Sequence, residues 1–185
     1  HLPPPPPTRP RGGGAPTPQL VLACRDLAAT KTGALIVFER DNMLDEPIKT
    51  GTMIHADVKA ELLKNIFYPN TPLHDGAVII RGGRIEAASC MLPLTSQTHL
   101  SRELGMRHRA GIGMSEASDA VVVVVSEESG SISVAVEGIL KRHLTEETFE
   151  RILKNELLQD REEKQSKLKT IAQNMFMKDK NDGRN

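Results

Sequence analysis

Six consecutive aliphatic residues, Ala120–Val125, constrain the fold more strongly than any other stretch of the sequence. Five of them are valines, and β-branched side chains favour extended backbone over helix. The run ends at the polar, glycine-containing segment 126–130, and the chain then returns through Ser131–Val136, which predicts a hairpin of two antiparallel strands. Another run, Ala34–Phe38, is apolar throughout, as is typical of a strand in a sheet covered on both faces.

A second hairpin and several helices complete the predicted fold. Gly82-Gly83 is a tight-turn signature between Ala77–Ile80 and a returning strand, Ile85–Met91. Asp57 and Thr145 are the expected N-caps of helices with one apolar face. The predicted helices span residues 17–31, 57–68, 102–118 and 145–158, with an exposed loop at 41–47 and a short strand or turn at 48–54. This order predicts a single globular α/β domain with a central mixed β-sheet flanked by helices on both faces.

The two ends of the chain differ in composition from this domain. Residues 1–16 contain five consecutive prolines and three consecutive glycines, and they cannot bury a core. We interpret them as a disordered leader or a cloning remnant; a proline-rich ligand of an SH3-like domain is the alternative. Residues 17–158 are the predicted folded domain, and residues 159–185 are a predicted charged, flexible tail.

Composition argues against several classes of function. Lys plus Arg and Asp plus Glu both total 24, so the chain has no net charge that would attract nucleic acid. Trp is absent and Tyr occurs once, which leaves few platforms for base stacking. The two cysteines, Cys24 and Cys90, lie outside any metal-binding pattern, as expected in a reducing cytoplasm. No run approaches the ~18 apolar residues of a membrane span, so a soluble, cytoplasmic chain is predicted.

The segment 70–80 is the first candidate site. His74-Asp75 places an imidazole beside a carboxylate just before an apolar strand. Pro69 and Pro72 disfavour helix on the approach, and Gly76 leaves no side chain between the backbone and a bound molecule. Polar groups at the start of a buried strand are typical of a ligand site. The alternative is a loop in which Asp75 only turns the chain before an ordinary core strand.

A second candidate site follows 32 residues after Asp75, where Arg107-His108-Arg109 places two guanidiniums on either side of an imidazole. Planar guanidiniums form paired, charge-assisted hydrogen bonds with phosphate oxygens, so this arrangement suits a polyphosphate. The alternative is a solvated helix end with surface arginines. A third cluster, Ser126-Glu127-Glu128, follows the valine strand at a position where α/β sheets commonly bind ligands, and its alternative is a plain hairpin turn.

Taken together, Leu73-His74-Asp75-Gly76-Ala77, Arg107-His108-Arg109 and Ser126-Glu127-Glu128 resemble the diadenylate cyclase family. The resemblance covers about residues 20–158 and is strongest to the membrane-anchored housekeeping type of Gram-positive bacteria. It implies a nucleotidyltransferase that condenses two ATP into the second messenger cyclic di-AMP, 3′,5′-linked, with release of two pyrophosphates. It also implies that the domain is the cytosolic part of a protein anchored by transmembrane segments that this chain lacks.

The resemblance implies a role for each matching position. Asp75 would act on the ATP 3′-hydroxyl as base or orienting group, with Gly76 and Ala77 shaping the ribose site. His74 would bind a divalent metal, either Mn²⁺, Mg²⁺ or Co²⁺. The residues implied at the triphosphate are Arg107, His108, Arg109, Ser126, Glu127 and Glu128, and those implied near the adenine are Met91, Leu92 and Met106.

Assembly and alternative functions also follow from these motifs. Each motif occurs once, so one chain offers one ATP site, and a two-fold symmetric product implies that two chains face each other in a homodimer. No nucleic-acid partner is expected, and the sequence does not specify a regulatory protein partner. The alternatives are a non-catalytic nucleotide sensor with the same fold and a metal-dependent phosphohydrolase, since His74-Asp75 is also similar to the His-Asp pair of metal-dependent phosphodiesterases.

Overall fold

The computed structural model describes residues 17–182, so the predicted leader at residues 1–16 lies outside the described residues. Within that range the chain forms five helices and seven strands. In chain order they are α1 (Thr17–Ala29), β1 (Ala34–Phe38), α2 (Asp45–Lys49), β2 (Thr52–Asp57), α3 (Ala60–Phe67), β3 (Ala77–Arg81), β4 (Arg84–Cys90), α4 (Met106–Ala117), β5 (Val121–Val125), β6 (Ile132–Val136), β7 (Ile139–Leu144) and α5 (Glu146–Asp182).

All seven of these strands join one sheet, in the order β2-β4-β3-β1-β5-β6-β7. β1 pairs in parallel with β3, with Ile36 opposite Val78, whereas every other neighbouring pair is antiparallel. The hairpins predicted around Gly82-Gly83 and segment 126–130 are the β3–β4 and β5–β6 pairs. The prediction of a mixed sheet is therefore confirmed.

Helices cover both faces of the sheet, as the apolar strands indicated. Alternate residues of a strand point to opposite faces, so Ile36 packs in a first core with α1, α3 and α5, and Val37 packs in a second core with α2 and α4. β1 and β5 are buried along their whole length. Burial of each large aliphatic side chain contributes about 1.5–3 kcal/mol relative to an exposed position, which explains why these strands carry no polar residue.

The predicted cap of the second helix is wrong. Asp57 ends β2 and forms an ion pair with Arg84 on the neighbouring strand. The N-cap of α3 is Lys59, and no side chain caps it there. The first N–H group of the helix, on Ala60, instead donates to Oε1 of Gln19 on α1, at 2.9 Å. A tertiary contact thus satisfies a donor that the sequence pattern assigned to a local cap.

Other boundaries also differ from the predictions. The loop predicted at residues 41–47 contains the start of α2, because Leu44 and Ile48 are buried in the second core. The strand predicted within 48–54 is displaced towards Asp57. α4 begins at Met106 rather than at residue 102. β7 was not predicted; its residues alternate between exposed and half-buried, as is common at the edge of a sheet.

The last helix is longer than predicted. Thr145 caps it as expected, since its Oγ1 accepts the backbone N–H of Thr148 at 3.2 Å. Phe149 and Leu153 anchor the helix in the first core. The tail predicted from residue 159 is helical through Asp182. The flexibility and the domain boundary predicted there stay predictions.

Strand order determines which segments meet at one edge of the sheet. β1 and β3 are parallel, so their N-terminal ends lie together, and the antiparallel strands β4 and β5 contribute their C-terminal ends to the same edge. Ala34 lies opposite Val125, and Ala77 lies opposite Cys90. The segments before β1 and β3 and those after β4 and β5 therefore converge at this edge.

Candidate active site

A cleft of about 270 Å³ lies where these segments converge. Four of its lining residues were predicted as site residues: His74, Asp75, Arg107 and Glu127. Six further lining residues had no individual role assigned to them, although Asn70 belongs to the candidate segment 70–80: Lys31, Thr32, Gly33, Phe67, Pro69 and Asn70. The cleft therefore combines an imidazole, two carboxylates, a guanidinium and an ammonium group, drawn from separate parts of the chain.

The tautomer of His74 is fixed by its own loop. Its Nδ1 lies 2.6 Å from the carbonyl oxygen of Thr71, which can only accept a hydrogen bond, so Nδ1 carries the proton. In the neutral ring Nε2 then holds a lone pair, and it lies 3.5 Å from Oδ1 of Asp75, whose side chain is 85% exposed. Two electron-pair donors at this separation can bind the same metal cation.

Gly76 brings the backbone against β4 immediately after this pair. Its φ of +88° is a conformation that residues with a side chain rarely adopt. A Cβ at this position would lie 2.7 Å from the carbonyl oxygen of Cys90. Ala77 is fully buried in the second core. The roles implied for these two residues at a ribose site stay predictions.

Arg107 reaches the cleft from the first turn of α4. Its Nη1 lies 3.2 Å from Oε2 of Glu127, which follows β5. The guanidinium also packs against Gly33, where an added Cβ would lie 2.5 Å from Cζ of Arg107. Gly33 therefore leaves the space that the guanidinium occupies, and this packing explains a glycine directly before a buried strand.

His108 and Arg109, predicted beside Arg107 at the triphosphate, do not line the cleft. Successive helical positions are about 100° apart, so three neighbouring side chains of a helix cannot all face one site. His108 is buried, and its pKa is lowered by burial and then by the charges of Arg142 and Arg107, which favours the neutral imidazole. The backbone carbonyl of Arg109 accepts a hydrogen bond from Thr95 at 3.1 Å. Phosphate roles for His108 and Arg109 stay predictions.

Ser126 shapes the turn that carries Glu127. Its Oγ accepts the backbone N–H groups of Glu128 and Ser129, each at 3.3 Å. Glu128 is exposed and, like Ser126, does not line the cleft. The turn thus presents one carboxylate, that of Glu127, to the cleft.

The residues expected near the adenine lie outside the lining of the cleft. Met91 directly follows β4 at the converging edge, and its backbone N–H donates to Oγ1 of Thr50 at 2.7 Å. Its side chain is exposed, as is that of Met106 at the start of α4. Leu92 is half-buried against the second core. Adenine contacts for Met91, Leu92 and Met106 stay predictions.

Lys31, Thr32 and Gly33 are the main addition to the predicted site. They follow α1 and enter the cleft because β1 lies between β3 and β5 in the sheet. Lys31 has a positive φ of 50°, and so does Asn70 on the other side of the cleft, with a φ of 65°. The strand order of the sheet decides which loops meet, so the local sequence could not show that this segment enters the cleft. Its one local signal was a glycine next to a buried strand.

The fold and the cleft define a class of protein: a mixed-sheet α/β domain with a polar site of mixed charge at one edge of the sheet. Within that class, residues 21–140 match the model of a family described as the DisA bacterial checkpoint controller nucleotide-binding domain, or DAC domain. The chain belongs to this family.

Curated relatives are similar over most of the folded part. The cyclic di-AMP synthase CdaA of Bacillus subtilis (strain 168) is 50% identical over 130 residues, which are 70% of this chain and 48% of that protein. A diadenylate cyclase of Listeria monocytogenes serotype 1/2a (strain 10403S) is 49% identical over 132 residues, 71% of this chain and 48% of that protein. The chain thus spans about half the length of these relatives.

Solved structures agree with the fold. DacA from Staphylococcus aureus, in a double cysteine variant, is 45% identical with a TM-score of 0.75, over 76% of this chain and 94% of that one. A Bacillus cereus protein described as a hypothetical membrane-spanning protein is 49% identical with a TM-score of 0.67, over 70% of this chain and 63% of that one. Among residues 17–182, no helix is both long enough and apolar enough to cross a bilayer. Membrane anchoring of a longer protein stays a prediction.

Proposed function

We propose that the domain is a diadenylate cyclase that condenses two ATP molecules into cyclic di-AMP and releases two pyrophosphates. The observation that carries the proposal is the meeting of Asp75 and Arg107 in one cleft, 32 residues apart in sequence and on different elements. A carboxylate and a guanidinium in one cleft provide a proton acceptor and a site for phosphate charge. Membership of the DAC family and relatives named diadenylate cyclase support the same reaction.

The chain's own residues would mainly position charge in this reaction. Each 3′-oxygen attacks the α-phosphorus of the other ATP, with pyrophosphate leaving in line. The exposed carboxylate of Asp75 would orient the 3′-hydroxyl and accept its proton, a step that typically adds 10²- to 10⁴-fold, as an order of magnitude. Arg107 and Lys31 would offset triphosphate charge. Gly76 would let the nucleotide approach the backbone.

His74 and Asp75 suit a divalent metal as part of the substrate complex. The Thr71 carbonyl holds the proton on Nδ1 of His74, so Nε2 is available as a ligand beside the carboxylate of Asp75. Among the described residues, no group of three or more His, Cys, Asp and Glu side chains could hold a metal alone. Phosphate oxygens would supply the other ligands. Such a cation would neutralise developing phosphate charge, and excess chelator should stop turnover with Mn²⁺, Mg²⁺ or Co²⁺ alike.

The small cleft supports a site completed by a second chain. Its volume of about 270 Å³ is below the ~300–1,000 Å³ typical of pockets that enclose a drug-sized ligand. Two such clefts facing each other about a two-fold axis would hold two ATP molecules with each 3′-oxygen near the other α-phosphorus. The reaction would therefore require a homodimer.

Incubation with ATP and a divalent metal tests this proposal, with mass spectrometry of the products. Cyclic di-AMP and pyrophosphate in a ratio of about 1:2 are expected from the balanced reaction. Saturable ATP binding with no product would identify a nucleotide sensor instead. Release of inorganic phosphate or of AMP would indicate a phosphohydrolase, which the lack of a three-ligand cluster in residues 17–182 disfavours.

A further inference from the structure

The C-terminal part of α5 continues beyond the first core. Phe149 and Leu153 are buried in the first core, and Leu157 packs at its margin. From residue 165 onward, every side chain of the helix that the structure describes is exposed. At about 1.5 Å per residue, the part of α5 after Leu157 is roughly 37 Å long. The match to the family model ends at residue 140, so this segment lies outside it.

An apolar stripe runs along this extension. Leu168, Ile171 and Met175 are 67%, 56% and 66% exposed. Because helical positions are spaced by about 100°, these three residues and Ala172 lie on one face of the helix. Single exposed apolar side chains are common on protein surfaces, but a contiguous row indicates an interaction surface.

Lysines border the apolar stripe on both sides. Lys169 lies about 110° from the middle of the stripe in one direction, and Lys178 lies about 70° from it in the other. Both side chains are exposed. Lys167 is on the same side as Lys178, with its Nζ 4.0 Å from Oδ2 of Asp41. An apolar face with lysines on both sides is typical of a helix that lies in a membrane interface.

Charge is segregated between this segment and the rest of the chain. Residues 164–185 contain six Lys and Arg but two Asp, whereas the whole chain contains 24 of each sign. The segment is therefore net +4 and residues 1–163 are net −4. An anionic surface would attract the end of α5 and repel the remainder, which confines the contact to the stripe.

We propose that the end of α5 binds the surface of a bilayer containing anionic lipids. The apolar stripe would lie at the boundary of the acyl chains, while Lys169 and Lys178 extend their amines to the lipid phosphates. The contact is interfacial and does not span the bilayer. A second copy of the chain fits less well, because parallel pairing of two stripes would bring like-charged lysines together. The proposal does not depend on the proposed catalytic function.

Vesicle sedimentation with the whole chain tests the proposal. We expect binding to phosphatidylcholine vesicles that contain about 30% phosphatidylglycerol, weaker binding at high salt, and little binding to phosphatidylcholine alone. Neutralising two lysines, K169Q with K178Q, should lower partitioning roughly 25-fold. The triple variant L168Q, I171Q and M175Q should lose binding, with α-helix content checked by circular dichroism.

Matched substitutions on other exposed positions serve as controls. Lys154→Gln removes a lysine from the domain-proximal part of α5, and Ile139→Gln removes an exposed apolar residue from β7; both should leave binding unchanged. Equal binding to both vesicle types, or unchanged binding by the triple variant, would overturn the proposal. Stripe-dependent self-association without vesicle binding would also overturn it, in favour of a second copy as the partner.

Discussion

Arg107 on α4 and Glu127 after β5 form an ion pair of 3.2 Å across the cleft. The pair holds the guanidinium in place, in the space left by Gly33. A bound triphosphate would therefore meet an arginine that is already ordered, and it would compete with Glu127 for that arginine. This arrangement makes the shape of the guanidinium as important as its charge.

Arg107→Lys should weaken ATP binding without unfolding the protein. Lysine keeps the charge but loses the planar fork, and one or two charge-assisted hydrogen bonds correspond to a rise in KM of about tenfold or more. Steady-state kinetics measures this directly. Arg151→Lys, at an exposed position on α5, should leave KM unchanged. An unaltered KM in Arg107→Lys would remove Arg107 from the phosphate site.

Asp75→Asn should retain ATP binding and lose synthesis of the cyclic dinucleotide. The amide is nearly isosteric with the carboxylate but cannot accept the hydroxyl proton, so a fall of about 10²-fold or more in kcat is expected. Equilibrium binding of ATP and product analysis separate the two effects. Glu61→Gln, the same change at an exposed site on α3, is the control. Synthesis at the normal rate by the Asp75 variant would exclude the carboxylate from catalysis.

Patterns local in sequence predicted the central strands. The edge strand and the role of Asp57 depended on tertiary contacts that such patterns do not contain. Ala34–Phe38 and the valine strand were predicted because two-sided burial leaves a continuous apolar run. β7 was missed because its residues are exposed or at most half-buried, so the strand carries no continuous apolar run. Asp57 was misassigned because its partner, Arg84, lies on another strand.

The candidate site likewise combines residues that the local sequence predicted with residues that only the tertiary structure brings in. The His74-Asp75 pair and Arg107 were predicted from their chemistry, and the cleft collects all three. Lys31 and its neighbours were missed because their approach depends on the position of β1 between β3 and β5. His108 does not line the cleft, because a helix turns about 100° between Arg107 and the next residue; its role at the triphosphate stays a prediction.

Gly76→Ala should destabilise the fold as well as the site. The added Cβ would meet the carbonyl oxygen of Cys90 at 2.7 Å, at a φ of +88°. Strain of this kind costs about 1–3 kcal/mol, equivalent to a fall in Tm of roughly 4–8 °C for about 2 kcal/mol in a chain of this size. Gly105→Ala has nothing within 4 Å of its added Cβ and should change Tm much less. Equal Tm values for the two variants would contradict the packing at Gly76.

His108 should make stability sensitive to mild acid. Burial and the charges of Arg142 and Arg107 lower its pKa in the folded state below the usual 6.5. Between those two pKa values the unfolded chain binds a proton that the folded chain does not, so the free energy of unfolding falls as the pH drops through that window. Urea unfolding at several pH values should show a smaller decline for His108→Asn than for wild type. His99→Asn, at an exposed position, is the control, and identical declines in all three proteins would contradict the prediction.

Activity per chain should rise with protein concentration wherever the chain is mostly monomeric. One chain has one His74-Asp75 pair and one Arg107, so under the proposed function a single cleft would supply one reacting ATP, and ring closure would require the second. Mixing wild type with an equal amount of Asp75→Asn tests the pairing itself: if subunits exchange freely, about a quarter of the dimers contain two intact sites. Synthesis of cyclic di-AMP should then fall below the half of wild-type activity that an equal mixture without subunit exchange would keep. Hybrid dimers, which have one intact site, should accumulate the linear dinucleotide. Mixing with Glu61→Gln should have no such effect.

A constant specific activity from a protein shown by sedimentation to be monomeric would contradict the facing-dimer arrangement. It would leave the proposed role of Asp75 as proton acceptor untouched.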